Sequence, residues 1–370
     1  MRKKIIYSIA TLSGTIIGVG FFALPYITSK VGFWIMLGYF LILGILVTLV
    51  HLFFGELSLK TPDYKRLPGF AKFHLGNRGE RIALISTILG TFGAILAYLI
   101  VGGEFLTELV LPILGGNSII WTIFYWAVGS ILIFFGIKII SKVEIFDLIA
   151  FLIILILIFL RGFSQFKTTN LFPRLDFSQI LLPYGPILFS LWGAALIPEV
   201  EEMLGVDSPK KKLLSKIILI SILIPVIFYL LFIFSIVGIS GQKTTESALI
   251  GLRDILGQGI VLPMLLFGIL TTFTSFIALG LTLKKVFWYD LKIEKNLAFL
   301  ITCFIPIILF LIGVKHFIPI ISFVGGVMLG IDGVLILLMY QKIKPKQILV
   351  YPLILIFLVG IIYEIIYFLK

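Results

Sequence analysis

Long apolar segments alternate with short polar connections along the whole chain. A helix that crosses a bilayer needs about 20 mainly apolar residues, and eleven segments come close to or exceed this length. Their predicted bounds are 5–28, 33–56, 81–111, 118–137, 142–161, 181–203, 214–239, 258–285, 296–313, 317–340 and 348–369. The pattern predicts an all-α integral membrane protein with eleven transmembrane helices.

The first apolar segment contains a stretch that disfavours a regular helix. Residues 13–26 read SGTIIGVGFFALPY, with Gly14, Gly18 and Gly20 in the apolar run and Pro25 after it. Glycine costs a helix about 1 kcal/mol and proline about 3 relative to alanine. Unpaired backbone groups in hydrocarbon are also costly, so a break is tolerated where these groups line a cavity or find other partners. Alternatively, Gly14 and Gly18 fit the GxxxG spacing of close helix packing.

The sixth segment contains a corresponding interruption. Residues 191–202 read LWGAALIPEVEE, and Pro198 follows Pro25 by 173 positions, close to half of the 370-residue chain. Segments one and six run in opposite directions across the bilayer. Secondary transporters combine inverted repeats of this kind with broken helices and a binding site near the midplane. We therefore predict one transporter domain, with 1–161 and 181–340 as inverted repeats and 348–369 as an additional helix.

The two interruptions predict a binding site for an amino acid. The outer half of span one is expected to begin near Phe21, where free N–H groups suit a carboxylate. The inner half is expected to end near Ile16 and Ile17, whose carbonyls suit an ammonium group or a bound cation. Aromatic side chains either wall the pocket or only fill the bundle. The predicted substrate-binding residues are Thr15, Ile16, Gly18, Val19, Gly20, Tyr98, Phe189, Ser190 and Trp192.

These motifs resemble a known family. The stretch GTIIGVG at 14–20 with LPY at 24–26 is similar to the first-helix motif of the amino acid/auxin permease family. It is equally similar to that of the hydroxy and aromatic amino acid permeases of the APC superfamily. The stretch IPE at 197–199, followed by basic residues at 210–216, resembles the sixth-helix region of the same group. The resemblance implies a LeuT-like 5+5 inverted repeat and amino acid uptake driven by a cation gradient.

Coupling and gating candidates lie in several spans. The resemblance implies that Thr274 and Ser275 face the first break, where they can coordinate sodium beside carbonyls such as that of Ile17. These hydroxyls otherwise bond back to carbonyls of their own helix. Asp332, the deepest acid, carries a proton or pairs with a helix terminus. Glu199 is either an inner gate or a cap for free N–H groups.

Acids nearer the span ends carry a different expectation. We expect interfacial or paired roles for Glu104, Glu108 and Glu364. Sodium-coupled relatives carry an asparagine near the position of Gly14, so the resemblance slightly favours a proton over sodium as the coupling ion. No other cofactor is predicted.

Charge and composition narrow the classes further. The net charge is +12, but 22 of the 30 lysine and arginine residues fall on one side of the predicted topology. The positive-inside rule then places the N-terminus in the cytoplasm of a cell-membrane protein and the C-terminus outside. The basic charge therefore needs no nucleic-acid partner. With one cysteine, three histidines and no nucleophile–base constellation, the chain is not expected to be an enzyme.

The sequence as a whole predicts a permease for a neutral, aromatic or hydrophobic amino acid that works by alternating access and cation symport. The alternative is an amino-acid-sensing subunit of the spore-germinant receptor type on the same fold. The expected partners are the amino acid and the lipid bilayer, and no oligomeric state is predicted. Two short helices are also expected outside the spans. One lies within 60–80 on the inner face, and one within 244–255 on the outer face is either a lid or a simple interfacial helix.

Overall fold

The computed structural model describes residues 2–62, 65–136, 142–174, 176–204 and 210–369. Within these ranges the chain is helical and forms no β-strand. The helices are α1 (Arg2–Ile16), α2 (Leu24–Val31), α3 (Phe33–Lys60), α4 (Leu67–Leu114), α5 (Ser118–Phe135), α6 (Lys142–Gly162), α7 (Tyr184–Leu191), α8 (Ile197–Leu204), α9 (Lys210–Ser240), α10 (Arg253–Leu256), α11 (Gln258–Lys285), α12 (Lys295–Leu311), α13 (Phe317–Phe323), α14 (Leu329–Ile343) and α15 (Val350–Leu369).

The membrane spans largely follow the apolar pattern. In the part of the chain that the structure describes, nine helical segments are long and apolar enough to cross a bilayer, and a bent pair, Lys3–Ile16 with Val19–Val31, makes a tenth. The predicted ninth span corresponds to α12, which is apolar but has only 17 residues. The count of eleven therefore stays a prediction. Position 137, the predicted end of span four, and Lys138 and Lys370, which entered the charge count, lie outside the described residues.

A short helix precedes the third span, as the sequence predicts. Within α4, Gly76 has φ +74° and ψ −166°, so it separates the segment 67–75 from the long span that follows. A positive φ of this kind is strained for residues with a Cβ. Glycine is therefore required where the chain turns from the surface segment into the span.

The segment 244–256 differs from its prediction. We expected Thr244 and Thr245 to begin a helix, but the chain forms only a 3-10 turn at Ile250–Leu252 and the four-residue α10. The Thr244 hydroxyl donates to the Gly241 carbonyl, and the Thr245 hydroxyl accepts from the N–H of Gly251, six residues later. Both hydroxyls are thus used in turns rather than as a helix cap. The apolar face of the segment is nevertheless buried against the bundle.

The core of the bundle is aromatic and lies beside the first span. Phe21 and Phe22 are fully buried, and Phe21 contacts the rings of Phe151, Tyr229 and Phe232 at centroid separations of 4.6–5.8 Å. By contrast, large apolar side chains on α5, α6 and α15 are widely exposed. A protein in water would bury such faces, whereas a bilayer covers them with hydrocarbon.

Candidate functional site

The first apolar segment is broken where the glycines predict. Helix α1 ends at Ile16, Gly18 is extended at φ −106° and ψ −164°, and a 3-10 helix spans Val19–Ala23 before α2 begins. The two parts of this first broken span meet at a bend of 49°. The inner half ends at the predicted residue, and the outer half begins at Val19, two residues before the predicted Phe21.

The sixth segment repeats this backbone plan. Helix α7 ends at Leu191, the chain is non-helical at Trp192 and Gly193, and a 3-10 helix spans Ala194–Leu196 before α8 begins. We call α7 through α8 the second broken span. In both broken spans the helix after the break carries proline at its second position, Pro25 or Pro198, where its missing N–H leaves no helical bond unmade.

Two glycines allow other elements to approach the first break closely. A Cβ on Gly18 would lie 2.1 Å from the Tyr98 hydroxyl, and a Cβ on Gly20 would lie 2.6 Å from both Phe189 Cδ1 and Ser190 Oγ. Neither φ angle lies in the left-handed region. The glycines are therefore needed for space rather than for conformation, and they bring α4 and α7 onto the break.

The Tyr229 hydroxyl joins the two broken spans. It lies 2.8 Å from the carbonyl oxygen of Ile16 and 3.0 Å from that of Ser190. A hydroxyl has one proton, so it can donate fully to only one of these carbonyls at a time. Two carbonyl oxygens that converge on one donor can also accept from an ammonium group. Tyr229 is not among the residues predicted from the sequence, because nothing in an apolar segment distinguishes one tyrosine from its neighbours.

Histidine 51 caps the second break. The imidazole of His51 is fully buried, and its Nδ1 lies 2.8 Å from the Val47 carbonyl, so Nδ1 carries the proton. Its Nε2 accepts a 2.9 Å hydrogen bond from the N–H of Gly193. Trp192 stands edge-on to this ring at a centroid distance of 5.3 Å and also contacts Phe357. Trp192 therefore packs between α3 and α15.

The Tyr98 hydroxyl lies at the start of the outer half of the first break. It is close to the backbone of Val19 and to the side chain of Ser275 on α11. Since Val19 begins the outer half, the hydroxyl occupies a position where the free N–H groups point. The Thr274 hydroxyl instead donates to the carbonyl of Thr271 in its own helix, at 3.1 Å. Of the two predicted span-eight hydroxyls, the structure brings only Ser275 to the break.

The remaining candidates lie farther away or face elsewhere. Thr15 has an exposed side chain, although its carbonyl lies 3.9 Å from a Cβ built on Gly18. The buried Asp332 accepts a 2.5 Å hydrogen bond from Ser86. Ser86 is twelve residues before Tyr98 on α4, about 18 Å along a helix. Asp332 is thus not brought to the breaks.

Glu201, which the sequence did not single out, joins α8 of the second broken span to α3. Glu199 is exposed, whereas Glu201 is buried and accepts a 2.5 Å hydrogen bond from Ser58 on α3. The sequence shows both acids just after Pro198, and their helical phase depends on where the break ends. A gating role for Glu199 stays a prediction.

The arrangement provides matched groups for a zwitterion. Backbone N–H groups of Val19 and Gly193 and carbonyls of Ile16 and Ser190 meet side chains of other helices at the two breaks. Within the described residues, no cluster of three or more metal-ligating side chains forms. The candidate site is built from backbone dipoles and hydroxyls, which are groups suited to orienting a small polar molecule.

Comparison with known proteins agrees with this geometry. The model of the tryptophan/tyrosine permease family matches residues 1–365. The chain belongs to the tryptophan/tyrosine permease family. This family membership makes the chain an amino acid transporter rather than an enzyme. The tyrosine-specific transport system 1 of Haemophilus influenzae is 26% identical over 297 residues, covering 76% of this chain and 72% of that protein. Glutamine transporter 2 of Aliivibrio fischeri is 22% identical over 359 residues, covering 94% and 91%.

Solved structures show the same fold at low identity. MhsT in complex with L-phenylalanine superposes with a TM-score of 0.68 at 13% identity, covering 96% of this chain and 98% of that one. Mhp1, a nucleobase-cation-symport-1 family transporter, superposes with a TM-score of 0.66 at 16% identity, covering 89% of this chain and 76% of that one. Both are LeuT-fold transporters, so the predicted LeuT-like fold with discontinuous first and sixth helices is confirmed. The residue bounds of the two repeats stay a prediction.

Proposed function

We propose that this permease takes up a neutral amino acid with an aromatic or hydrophobic side chain, by alternating access and together with a proton. The observation that carries the proposal is the meeting of the two broken spans at Gly20 and at the Tyr229 hydroxyl. The carbonyls of Ile16 in α1 and Ser190 in α7 lie within hydrogen-bond distance of this α9 hydroxyl, and Tyr98 of α4 packs against Gly18.

The two charged ends of an amino acid match the groups at the breaks. The substrate carboxylate accepts from N–H groups at the start of the outer half, in the place of the Tyr98 hydroxyl that now meets Val19. The ammonium group donates to the carbonyls of Ile16 and Ser190, which already converge on one hydroxyl. Charge-assisted hydrogen bonds of this kind are about twice as strong as neutral ones. The substrate thus replaces tyrosine hydroxyls rather than filling unpaired positions.

An aromatic substrate is supported by the walls of the site and by relatives. Phe189 stands against Gly20 and is only partly buried, so its ring is available to a ligand. A neighbouring aromatic ring contributes about 0.5–1.5 kcal/mol beyond its area when it packs edge-on or offset. The name of one relative specifies tyrosine, and the solved MhsT structure holds L-phenylalanine.

A proton is proposed as the coupling ion, and the cell membrane as the location. In support of the proton, Gly14 has no side-chain oxygen for sodium, and the Thr274 hydroxyl donates within its own helix. The proposed orientation has the N-terminus in the cytoplasm and the C-terminus outside, because most lysine and arginine residues then lie inside.

Counterflow in proteoliposomes tests the proposal. Vesicles are loaded with one of the common amino acids and diluted into a solution of the same amino acid in labelled form. Accumulation of the label is then compared under an imposed proton gradient and an imposed sodium gradient. We expect counterflow with an aromatic amino acid and accumulation with an inward proton gradient. Accumulation that follows sodium alone would contradict proton coupling. Saturable binding without any flux would contradict transport and favour the receptor alternative.

A further inference from the structure

Glu364 is a buried acid on the helix that lies outside the two predicted repeats. Its side chain is 1% exposed in α15. A Cβ on Gly185 of α7 would lie 2.6 Å from Glu364 Oε1, and a Cβ on Gly326 would lie 2.2 Å from its Cγ. Glycine at both positions therefore lets the carboxyl reach between the second broken span and the tenth span. From the sequence, an interfacial or paired role is expected for this acid.

The carboxyl is only partly satisfied. The backbone N–H of Gly185, in the first turn of α7, lies beside it and interacts with it, whereas Oε2 has no hydrogen-bond partner. The neighbouring Ser322 hydroxyl is also buried without a partner, and the Ser322 carbonyl lies 2.4 Å from the Gly185 Cβ position. A buried polar atom without a partner is uncommon in native proteins and requires an explanation.

The groups around the carboxyl are neutral. Tyr39 of α3, Tyr184 of α7 and Tyr363 of α15 lie close enough to interact with it electrostatically. Among the described residues, no lysine, arginine or histidine pairs with Glu364. The N-terminus of α7 favours a carboxylate, while burial without a cation disfavours it. Because these two effects oppose each other, any movement of α7 changes the balance between the carboxylate and the carboxylic acid.

Asp332 lacks this connection to a broken span. It accepts from Ser86 of α4, whereas Glu364 touches α7 itself. Of these two buried acids, only Glu364 contacts an element that must move when a transporter of this fold alternates between its two sides.

We propose that Glu364 is the proton-binding group of this transporter and that its protonation is linked to the position of α7. The inference rests on the proposed proton-coupled uptake. A proton from the outer solution binds one oxygen of the Glu364 carboxylate. The attraction between Glu364 and the Gly185 N–H then weakens, and α7 can move. The same proton leaves to the solution on the other side of the membrane, and the carboxylate again interacts with Gly185.

The test compares Glu364→Gln with wild type in proteoliposomes. Glutamine has the size of the protonated acid but cannot exchange a proton. Accumulation driven by an inward proton gradient is expected to fall at least about tenfold, in the range of typical coupling between sites. Counterflow exchange is expected to persist at a rate that no longer varies with pH. Glu108→Gln, which removes an acid paired with Arg253 at 3.0 Å, is the matched control.

A second measurement is independent of transport. Infrared difference spectra between acid and alkaline pH detect a protonated carboxyl, and the wild-type band that titrates is expected to be missing in Glu364→Gln. If Glu364→Gln fails to fold, Glu364→Asp is expected to shift this band. Wild-type accumulation in Glu364→Gln, or a band that persists there and disappears in Asp332→Asn, would overturn the assignment. A titrating Glu364 band in a protein without any flux would leave the proton site in place and refute the proposed function.

Discussion

The two broken spans share one backbone plan but differ in the groups that cap it. In the first, two tyrosine hydroxyls, Tyr98 and Tyr229, meet the free N–H and C=O groups. In the second, the Gly193 N–H is held by an imidazole that is itself anchored to its own helix. A hydroxyl can rotate and exchange partners, whereas the buried His51 ring has both nitrogens committed. We therefore call the first break exchangeable and the second, whose N–H is held by His51, fixed; Tyr229 also reaches the Ser190 carbonyl near the end of α7.

The largest expected effect is on uptake, when a Cβ is added to a glycine at each of the two breaks. Gly18→Ala places a Cβ 2.1 Å from the Tyr98 hydroxyl, while Gly193→Ala meets apolar atoms of Ile16 and Leu12 at 2.8–3.1 Å. Overpacking costs about 1–3 kcal/mol, and at the exchangeable break the added Cβ lies at the proposed substrate position. We expect Gly18→Ala to reduce initial uptake at least about tenfold and Gly193→Ala to reduce it less.

Gly38→Ala is the control for both variants, since a Cβ there has no neighbour within 4 Å. Equal membrane levels of all three proteins, measured by immunoblot, make the uptake values comparable. Equal losses in Gly18→Ala and Gly193→Ala would refute the distinction between an exchangeable and a fixed break.

The next effect concerns the group shared by both breaks. Tyr229→Phe removes the hydroxyl from the carbonyls of Ile16 and Ser190. A buried polar group left without its partner costs about 1–3 kcal/mol. We expect Tyr229→Phe to lower the midpoint of thermal unfolding of the detergent-solubilised protein. Added substrate is expected to raise this midpoint again. Tyr289→Phe, at a ring that is 57% exposed, is expected to change neither. An unchanged midpoint in Tyr229→Phe would show that the bridge contributes no stability.

Two substitutions of His51 test whether the imidazole acts only as the acceptor for the Gly193 N–H at the fixed break. His51→Phe leaves the Gly193 N–H without an acceptor and is expected to cost about 1–3 kcal/mol. His51→Gln retains an acceptor oxygen and is expected to cost less. The measurement is the unfolding midpoint, with transport at several pH values as a second readout. If both variants lose uptake equally while their midpoints match wild type, the imidazole acts in proton transfer rather than as a cap.

The smallest effect separates two neighbouring hydroxyls of α11. Ser275→Ala removes a partner of Tyr98 and is expected to raise KM about threefold, which corresponds to one ordinary hydrogen bond. Thr274→Ala removes only a bond within its own helix and is expected to leave KM nearly unchanged. A larger loss in Thr274→Ala, seen only with a sodium gradient, would identify Thr274 as a cation ligand and contradict proton coupling.

The breaks themselves could be predicted because their causes are local. Glycine and proline act on the backbone at their own positions, so the interruption near Gly18 and its counterpart before Pro198 are visible in the sequence. The apolar pattern likewise predicts where most spans lie, since the length of a span follows from the thickness of the bilayer.

The capping groups could not be predicted because their partners are distant in the chain. Tyr229 is 213 residues from Ile16, and His51 is 142 residues from Gly193. Similarly, the choice between Glu199 and Glu201 depends on helical phase after an irregular turn. The Gly325–Gly326 pair was a usable signal: it lies in a π-helical segment, Val324–Met328, that admits α7 and Glu364.

The Tyr229 bridge has a consequence for the balance between net transport and exchange. A transporter whose two half-helix carbonyls lose every partner when the substrate leaves is slow to return without substrate, and it mainly exchanges one solute for another. In this protein the Tyr229 hydroxyl belongs to the chain itself and lies within hydrogen-bond distance of both carbonyls. If the proposed transport takes place at this site, we expect the return step to be fast and net transport to exceed exchange.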